Sequence, residues 1–207
     1  MEHKGYKEIL YMKTIIYAHP FPGSFNHEIL NRLSNSFSKN DEEFELIDLY
    51  SDGFDPILSK KDLATYSQGK IDDKLVKKYQ RKIACSDELV FIFPIWWHNL
   101  PAMLKGFFDK TMLNGFAYDE SNGWQGLLTY IKRATVITTS TVTKEHLENN
   151  CGNPIQNVFI DRTLVDLGID QKTVHWIHFG KVNTTTDEDR EQFLNDLPSL
   201  YAQQFIK

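Results

Sequence analysis

The sequence has few of the features that mark secreted, membrane-spanning or nucleic-acid-binding proteins. Its two cysteines, Cys85 and Cys151, have neither metal-ligand spacing nor the density of a disulfide framework, so we expect a reducing, cytoplasmic setting. No apolar run approaches the ~20 residues of a membrane-spanning helix. With 23 Lys and Arg against 28 Asp and Glu, the net charge is −5 and no basic stripe is present, so we expect no nucleic-acid partner.

The sequence also lacks the motifs of several common enzyme classes. It contains neither a GxGxxG fingerprint nor a Walker phosphate-binding loop. No Ser-His-Asp arrangement, paired carboxylates or metal-ligand cluster is apparent, so we expect no bound metal. Cys151 has no basic neighbour that would activate its thiol. These absences favour chemistry that is carried out by a bound cofactor.

The length of 207 residues and the 41% content of hydrophobic residues are typical of one globular domain. Residues 1–12 lack the continuous apolar segment of a signal peptide. We expect them to be a leader outside the fold. Residues 13–207 then form a single domain, which no internal repeat or low-complexity linker divides.

Strand and helix patterns alternate along this domain. The central pattern, residues 89–93, is a run of five apolar residues of the kind found in strands that are buried on both faces. The five predicted strands are residues 13–19, 44–50, 89–93, 134–141 and 173–179. Such alternation indicates parallel strands with helices on both faces. We therefore predict an α/β three-layer sandwich whose five-stranded parallel sheet has the flavodoxin-like order 2-1-3-4-5.

Some connecting segments have weaker signals. Residues 113–128 contain three glycines and are predicted as a surface loop. Residues 143–152 are polar and are also predicted as a loop, with a single helical turn as the alternative. Asn153 should cap a helix that Gly168 ends, and Pro198 should kink or split the terminal helix.

The loop after the first predicted strand contains two prolines and a glycine, in the sequence HPFPGSFN. Ser24 can cap the following helix, and His19 and Asn26 add polar groups beside the helix N-terminus. Free N–H groups and the helix dipole make such an end suitable for a phosphate or another anion. An ordinary capped helix behind a proline-rich turn explains the spacing equally well.

Two more loops follow the third and fourth predicted strands. Trp96, Trp97 and His98 come directly after the central strand, and two indoles could hold a flat, partly polar ligand. The alternative is that one indole is buried core and the other covers the sheet edge, and we expect this for one of the pair because tryptophan is usually well buried. Residues 138–143 offer hydroxyl groups, although a β-branched strand running into a turn explains them as well. Because the ligand crevice of this fold lies beyond the carboxyl ends of strands one and three, the first two loops should meet there.

Three segments together resemble the NAD(P)H:quinone oxidoreductase family of flavodoxin-fold flavoproteins, which includes small bacterial NAD(P)H oxidoreductases. They are AHPFPGSFN at residues 18–26, FPIWWHNLPAMLKGFFDKT at 93–111 and VITTST at 136–141. The second segment is the most specific, since a tryptophan loop is followed by Pro-Ala-x-Leu-Lys-Gly-x-Phe-Asp-Lys. GFAY at residues 115–118 also fits the resemblance.

The resemblance implies a flavin-dependent NAD(P)H oxidoreductase that passes a hydride from a nicotinamide to a quinone or a similar flat electrophile by ping-pong alternation. It implies FMN as the cofactor, with FAD as the alternative, and NAD(P)H as co-substrate. It places His19, Ser24, Phe25 and Asn26 at the phosphate end of the flavin, Pro94, Ile95, Trp96 and Trp97 along the isoalloxazine ring, and Thr138 and Thr139 beside it. It also implies a homodimer whose partner subunit helps to close the active site, with Tyr118 near the substrate.

The sequence departs from the family in the loop after Thr139. There the family usually has glycines, then a tyrosine and a histidine thought to assist hydride transfer or substrate binding. Here the loop reads STVTKEH, without a tyrosine. We take His146, together with Tyr118, as the catalytic candidates, and a solvated loop histidine is the alternative for His146. His175 and His178 lie in the last predicted strand and are expected to be structural.

The altered loop and the glycine-rich segment at 115–126 motivate a second interpretation. In it, the protein is a flavin-binding, redox-sensing regulatory subunit of another protein such as a transporter. Bound flavin with poor NAD(P)H oxidation would favour the subunit over the enzyme. A one-electron carrier of the flavodoxin type fits less well, because such carriers are strongly acidic and the net charge here is only −5.

Overall fold

The computed structural model describes residues 12–203. The strands are β1 (Lys13–Tyr17), β2 (Phe44–Asp48), β3 (Glu88–Pro94), β4 (Tyr118–Asp119), β5 (Gln125–Gly126), β6 (Arg133–Thr139) and β7 (Val174–Phe179). Five of them form a parallel sheet in the order β2-β1-β3-β6-β7. Since β4 and β5 pair with each other in a separate antiparallel ribbon, the predicted order 2-1-3-4-5 is confirmed.

Helices cover both faces of the sheet. They are α1 (Phe25–Lys39), α2 (Lys60–Tyr66), α3 (Lys74–Ala84), α4 (Ala102–Thr111), α5 (Lys144–Asn150) and α6 (Asp187–Gln203), with a π-helix (Ile155–Leu164) and a short 3-10 turn (Gln171–Thr173) before β7. One hydrophobic cluster packs α1 and α6 against the sheet, and the other packs α3, α4 and the π-helix against its opposite face. The predicted three-layer sandwich is therefore present.

The central strand explains why the sheet is organised as it is. All seven residues of β3 are buried, as expected for an interior strand between β1 and β6. The strand ends at Pro94, which has no N–H to donate to a neighbouring strand. Its carboxyl end lies level with Thr139 of β6, so the loops that follow β3 and β6 start side by side.

The prediction of a loop at residues 143–152 is wrong, because α5 occupies most of it. The Thr143 hydroxyl caps this helix by accepting a hydrogen bond from the His146 N–H at 3.2 Å. Leu147 is fully buried and anchors the otherwise polar helix to the core. The loop predicted at 113–128 is likewise incomplete, since it contains the β4–β5 ribbon.

Two helix signals, at residues 153–168 and at Pro198, match their predictions only in part. Asn153 does not have the extended conformation of a cap, since its φ is +49°, and its side-chain Oδ1 accepts no hydrogen bond from residues 12–203. Pro154 precedes the π-helix with helical dihedrals and makes no side-chain capping bond. Gly168, with φ +96°, follows the end of this helical segment as predicted. The terminal helix α6 is not split at Pro198. Burial of Leu194, Leu197 and Tyr201 against the sheet offsets the hydrogen bond that the proline removes.

Gly106, in the Leu-Lys-Gly sequence of α4, allows the helix to lie very close to the backbone of another segment. A Cβ atom on Gly106 would lie 2.2 Å from the carbonyl oxygen of Pro56. Because that neighbour is backbone, it could not move aside as a flexible side chain does. Glycine thus lets α4 pack directly on the segment that precedes α2.

A buried charged cluster lies at the amino ends of the strands, opposite to the ligand edge. The Arg133 Nε donates to Glu88 Oε2 at 2.7 Å, and the Tyr201 hydroxyl of α6 donates to Glu88 Oε1. Lys13 pairs with Glu42 at 2.6 Å. Burial raises the pKa of Glu88, and the neighbouring Arg133 guanidinium opposes this rise. The cluster ties β3, β6 and α6 together.

The predicted leader, residues 1–12, lies outside the described residues except for Met12. The Met12 carbonyl accepts a hydrogen bond from the Asp87 N–H at 2.8 Å. Because both hydrophobic clusters pack on one sheet, we propose that the described residues from Lys13 onward form a single domain. Between residues 12 and 203, no helix is long and apolar enough to cross a membrane.

Candidate functional site

Three neighbouring strands bring their loops together at the carboxyl edge of the sheet. The loops after β1, β3 and β6 enclose a cavity of about 380 Å³, here called cavity A. It is lined by His19, Ser24, Phe25, Asn26, Pro94, Ile95, Trp96, Thr139, Ser140, Thr141, Val182, Asn183 and Arg190. Most of the residues predicted to bind a cofactor are thus gathered at one site, at the predicted switch point between the first and third strands.

A second cavity of about 360 Å³, cavity B, adjoins cavity A. It is lined by Ile95, Trp96, Trp97, His98, Ser140, Thr141, Val142 and Leu147. The two cavities share lining residues from the loops after β3 and β6, so these loops form the partition between them. A flat group could therefore lie in cavity A while a second flat molecule approaches from cavity B.

The first loop places the N-terminus of α1 at cavity A. Ser24 caps the helix, since its hydroxyl accepts a hydrogen bond from the His27 N–H at 3.1 Å. Burial lowers the pKa of His19, which favours the neutral ring. The Phe21 N–H donates to His19 Nδ1 at 3.1 Å, so the neutral imidazole carries its proton on Nε2. The helix end and the His19 ring are both suited to an anionic ligand group.

Asn26 is the least exposed polar side chain of this loop. It is 3% exposed, and its Nδ2 donates to Thr139 Oγ1 at 2.7 Å. Its Oδ1 is buried without a hydrogen-bond partner among residues 12–203. Exchanging the amide oxygen and nitrogen would still leave one of the two atoms unpaired. A buried polar atom of this kind costs free energy unless a ligand satisfies it, so cavity A fits a ligand with polar edges.

The tryptophan loop has a tight and strained backbone. Trp97 and His98 have φ values of +51° and +58°, a conformation that is uncommon for residues other than glycine. Trp96 and Asn99 exchange two backbone hydrogen bonds of 3.0 and 3.1 Å across this turn. The turn leaves Trp96 42% and Trp97 97% exposed. The expectation that one indole is buried core is therefore wrong.

The two threonines at the end of β6 point in opposite directions, as successive strand residues do. Thr139 contacts Asn26 and lines cavity A. Thr138 lines neither cavity A nor cavity B, and its hydroxyl lies 2.8 Å from His178 Nδ1. Burial lowers the pKa of His178 to about 4, and the charge of Lys144 adds to this effect. His178 is therefore a neutral, half-buried base next to the site.

The two residues predicted as catalytic do not lie at cavity A or B. Tyr118 lines a third cavity of about 390 Å³, cavity C, where its ring stacks on Trp124 with centroids 4.2 Å apart. Asn99 and Leu100 of the tryptophan loop also line cavity C, so it lies on the other side of that loop. His146 is exposed on α5 and lines none of these three cavities.

Sequence reasoning missed the lining residues that follow β7. Val182, Asn183 and Arg190 all reach cavity A. The Arg190 guanidinium is held by the Val182 carbonyl at 2.8 Å and by Asp187 at 2.7 Å. The available signal was topological, because β7 is parallel to β6 and must end at the same edge of the sheet. Ser140 lines both cavity A and cavity B, although the sequence indicated no more than a hydroxyl-bearing turn at residues 138–143.

Comparison with known proteins agrees with this architecture. The model of the flavodoxin-like fold family Flavodoxin_2 matches residues 12–199. An uncharacterized NAD(P)H oxidoreductase of Haemophilus influenzae is 29% identical over 182 residues, which cover 87% of this chain and 89% of the relative. The structure of an NAD(P)H:quinone oxidoreductase from Methanothermobacter marburgensis has a TM-score of 0.80 at 28% identity, covering 91% of this chain and 94% of the other.

A more distant structure shares the fold alone. It is an FMN-dependent NADH-azoreductase from Bacillus anthracis in complex with FMN, with a TM-score of 0.71 at 18% identity, covering 93% of this chain and 98% of that chain. Since the family model spans residues 12–199, which include the whole five-stranded sheet and the loops around cavity A, the protein belongs to the flavodoxin-like fold family.

Proposed function

We propose that the protein is a flavin-dependent NAD(P)H oxidoreductase that passes a hydride from a nicotinamide to a quinone or a similar flat electrophile. The observation that carries the proposal is cavity A, where a helix N-terminus, a neutral histidine and the unpaired Asn26 oxygen meet beside Trp96. The oxidoreductase names of the Haemophilus and Methanothermobacter relatives support this chemistry. Cavity B gives each flat substrate the same open approach, as ping-pong alternation requires.

FMN is the proposed cofactor, with FAD as the alternative, and a bound flavin supplies the two-electron hydride chemistry that these side chains lack. Ser24, Phe25 and the α1 N-terminus would hold its phosphate end, together with the Nε2–H of His19. Pro94, Ile95 and Trp96 would lie along its ring, with Thr139 and Asn26 at its polar edge. The azoreductase structure supports FMN at the level of the fold.

Backbone donors for the ring are limited in the tryptophan loop. The Ile95 N–H already donates to the Thr139 carbonyl at 2.8 Å, and the Trp96 N–H donates to the Asn99 carbonyl. The Asn99 and Leu100 N–H groups are also engaged. Trp97 and His98 would therefore provide the amide donors that favour negative charge on the reduced ring. This gives the strained turn a role in binding and leaves the Trp97 indole free to contact the second substrate in cavity B.

We further propose that the active form is a homodimer. Tyr118 does not line cavity A or B of its own chain, so it could approach the substrate only from a second copy. Cavity C, with the exposed Trp124 and Val158 at its rim, offers an apolar surface for that contact. Light scattering should then give a mass of twice 24.1 kDa. A monomer at all protein concentrations would contradict the dimer.

We also propose a cytoplasmic location, and we favour the enzyme over the regulatory subunit. A cytoplasmic location suits an enzyme that uses NAD(P)H and whose two cysteines, Cys85 and Cys151, are both free. The names of the relatives favour an enzyme over a redox-sensing regulatory subunit. His146 remains a catalytic candidate only if α5 moves or a second copy brings it to cavity B, because it faces solvent here.

The first test is the identity of the bound cofactor. We expect the purified protein to show a flavin absorption spectrum, to release about one flavin per chain on heating, and to yield FMN on chromatography. Release of FAD would correct the cofactor and leave the reaction in place. A colourless protein that takes up neither flavin would contradict the proposed function.

A further inference from the structure

A closed set of polar side chains lies under the loop after β6. The Trp176 Nε1 and the Thr138 hydroxyl are 2.8 Å apart, and the same hydroxyl is 2.8 Å from His178 Nδ1. On its other side, His178 Nε2 lies 3.1 Å from Ser140 Oγ and 3.3 Å from the Val142 carbonyl oxygen. The Ser140 hydroxyl is also 2.7 Å from the Val142 carbonyl.

These distances determine which ring nitrogen of His178 carries the proton. The Trp176 indole can only donate, so Thr138 Oγ1 accepts from it and has its own hydrogen available for His178 Nδ1. The Val142 carbonyl can only accept, so His178 Nε2 carries the hydrogen that faces it. In the opposite tautomer, the Thr138 hydroxyl hydrogen would have no acceptor in this cluster. Every polar atom of the cluster is satisfied only when the ring is neutral and protonated on Nε2.

The cluster fixes a segment that forms the wall between cavities A and B. Residues 140 and 141 line both cavities, and Val142 lines cavity B. The Ser140 carbonyl accepts a hydrogen bond from the Val182 N–H at 2.9 Å, which joins this segment to the loop after β7. The segment thus contains a serine whose hydroxyl lies against a half-buried histidine.

We propose that His178 is a positioning residue for the flavin site: through its Nε2–H, it holds residues 140–142 in the conformation that shapes cavities A and B. The inference rests on the proposed function, because it names the flavin as the ligand whose affinity depends on this segment. His178 does not line either cavity and therefore acts only through Ser140 and Val142. Thr138 and Trp176 set the tautomer that makes the contact possible.

Two substitutions of His178 separate the role of its Nδ1 from the role of its Nε2–H. An asparagine amide reaches the position of Nδ1 and can accept from Thr138, but it cannot reach the Val142 carbonyl. A glutamine amide extends to the position of Nε2 and can donate to that carbonyl. We expect His178→Gln to bind FMN within about threefold of the unaltered protein and His178→Asn to bind about tenfold more weakly or worse. The His175→Gln control, on the opposite face of β7, should bind FMN normally.

The measurements are titration of the apoprotein with FMN by fluorescence quenching and hydrogen exchange of the Val182 N–H without flavin. Faster Val182 exchange in His178→Asn, but not in His178→Gln, supports the positioning role, and circular dichroism verifies that each variant is folded. Equal affinity and equal exchange in all variants would overturn it, as would a His178→Gln protein as impaired as His178→Asn. If the unaltered protein binds no flavin, the proposed function fails, whereas Val182 exchange still decides whether His178 holds the segment.

Discussion

Replacing Arg133 with methionine is expected to lower the free energy of unfolding by about 3 kcal/mol at about pH 8. The substitution removes the guanidinium that lies 2.7 Å from Glu88, a residue with 0% exposure at the start of the central strand. It leaves a buried carboxylate that has lost its closest cation, and removal of one partner of such a pair is among the most destabilising single changes. Because Tyr201 of α6 also contacts Glu88, the C-terminal helix should loosen with the sheet.

The loss should depend on pH with a defined sign. Burial already raises the pKa of Glu88, and removing Arg133 takes away a charge that opposes this rise. The folded variant then binds a proton at pH values where the unfolded chain has lost it, so its stability declines as the pH rises. The defect should be largest at about pH 8 and smaller at about pH 5.5, as measured by urea denaturation at both values.

The exposed Arg81 of α3 provides the matched control for this experiment. Arg81→Met should change the free energy of unfolding by less than about 0.5 kcal/mol at either pH. A second comparison replaces both partners, Glu88 and Arg133, with apolar residues, which should restore part of the stability because no buried charge is left. An equal effect of Arg133→Met and Arg81→Met would show that the buried cluster contributes little.

Replacing Asn26 with leucine should weaken FMN binding by about 2 kcal/mol, or roughly thirtyfold. Leucine has the same number and branching of side-chain heavy atoms but cannot accept a hydrogen bond, so the buried Oδ1 that lacks a protein partner would no longer be available to a ligand. It also removes the 2.7 Å bond that links α1 to Thr139 of β6. The measurement is the dissociation constant of FMN, obtained by fluorescence titration of the apoprotein.

Two controls separate the parts of this effect. Asn31→Leu changes the same residue type on α1 outside cavity A and should leave FMN affinity unchanged. Thr139→Val removes the link to Asn26 and the Thr139 hydroxyl that lines cavity A, but it leaves the Asn26 side chain available to the ligand, so it should cost less than Asn26→Leu. Should Asn26→Leu bind FMN as tightly as the unaltered protein, Asn26 would have no part in holding the cofactor.

The fold was predictable because its signals are local and strong. The apolar run at the centre of β3 and the alternation of strands with helices indicate a parallel sheet, and five such strands in three layers favour the flavodoxin-like order. The same reasoning placed the loops after β1 and β3 at one edge, since the carboxyl ends of parallel strands lie together. Cavity A is the consequence of that topology.

Other features depend on contacts that a single segment does not reveal. Residues of α5 are almost all polar, and the helix is held there by contacts such as the Thr143 cap and the burial of Leu147. Arg190 reaches cavity A because its guanidinium is bound to the Val182 carbonyl, in the loop after β7 that also lines this cavity. The tautomer of His178 depends on atoms from β6, β7 and the next loop, which only the folded chain brings within hydrogen-bonding distance.

The exposure of the tryptophans was mispredicted for a different reason. Tryptophan is usually well buried, and that tendency favoured at least one core indole. The tight turn at Trp97 and His98 overrides it, because positive φ values at both residues direct their side chains away from the sheet. Such strain is common at functional sites, where the surrounding structure maintains it.

The most direct test of the proposed function is to follow the two half-reactions separately without oxygen. Purified, flavin-loaded protein is mixed with NADH or with NADPH, and then with a soluble quinone, while the visible absorption of the flavin is recorded. The proposed function predicts that at least one nicotinamide bleaches the flavin and that the quinone restores the absorption. Each half-reaction should be at least as fast as steady-state turnover. A stably bound flavin that neither NADH nor NADPH reduces would contradict the enzyme and favour the redox-sensing subunit.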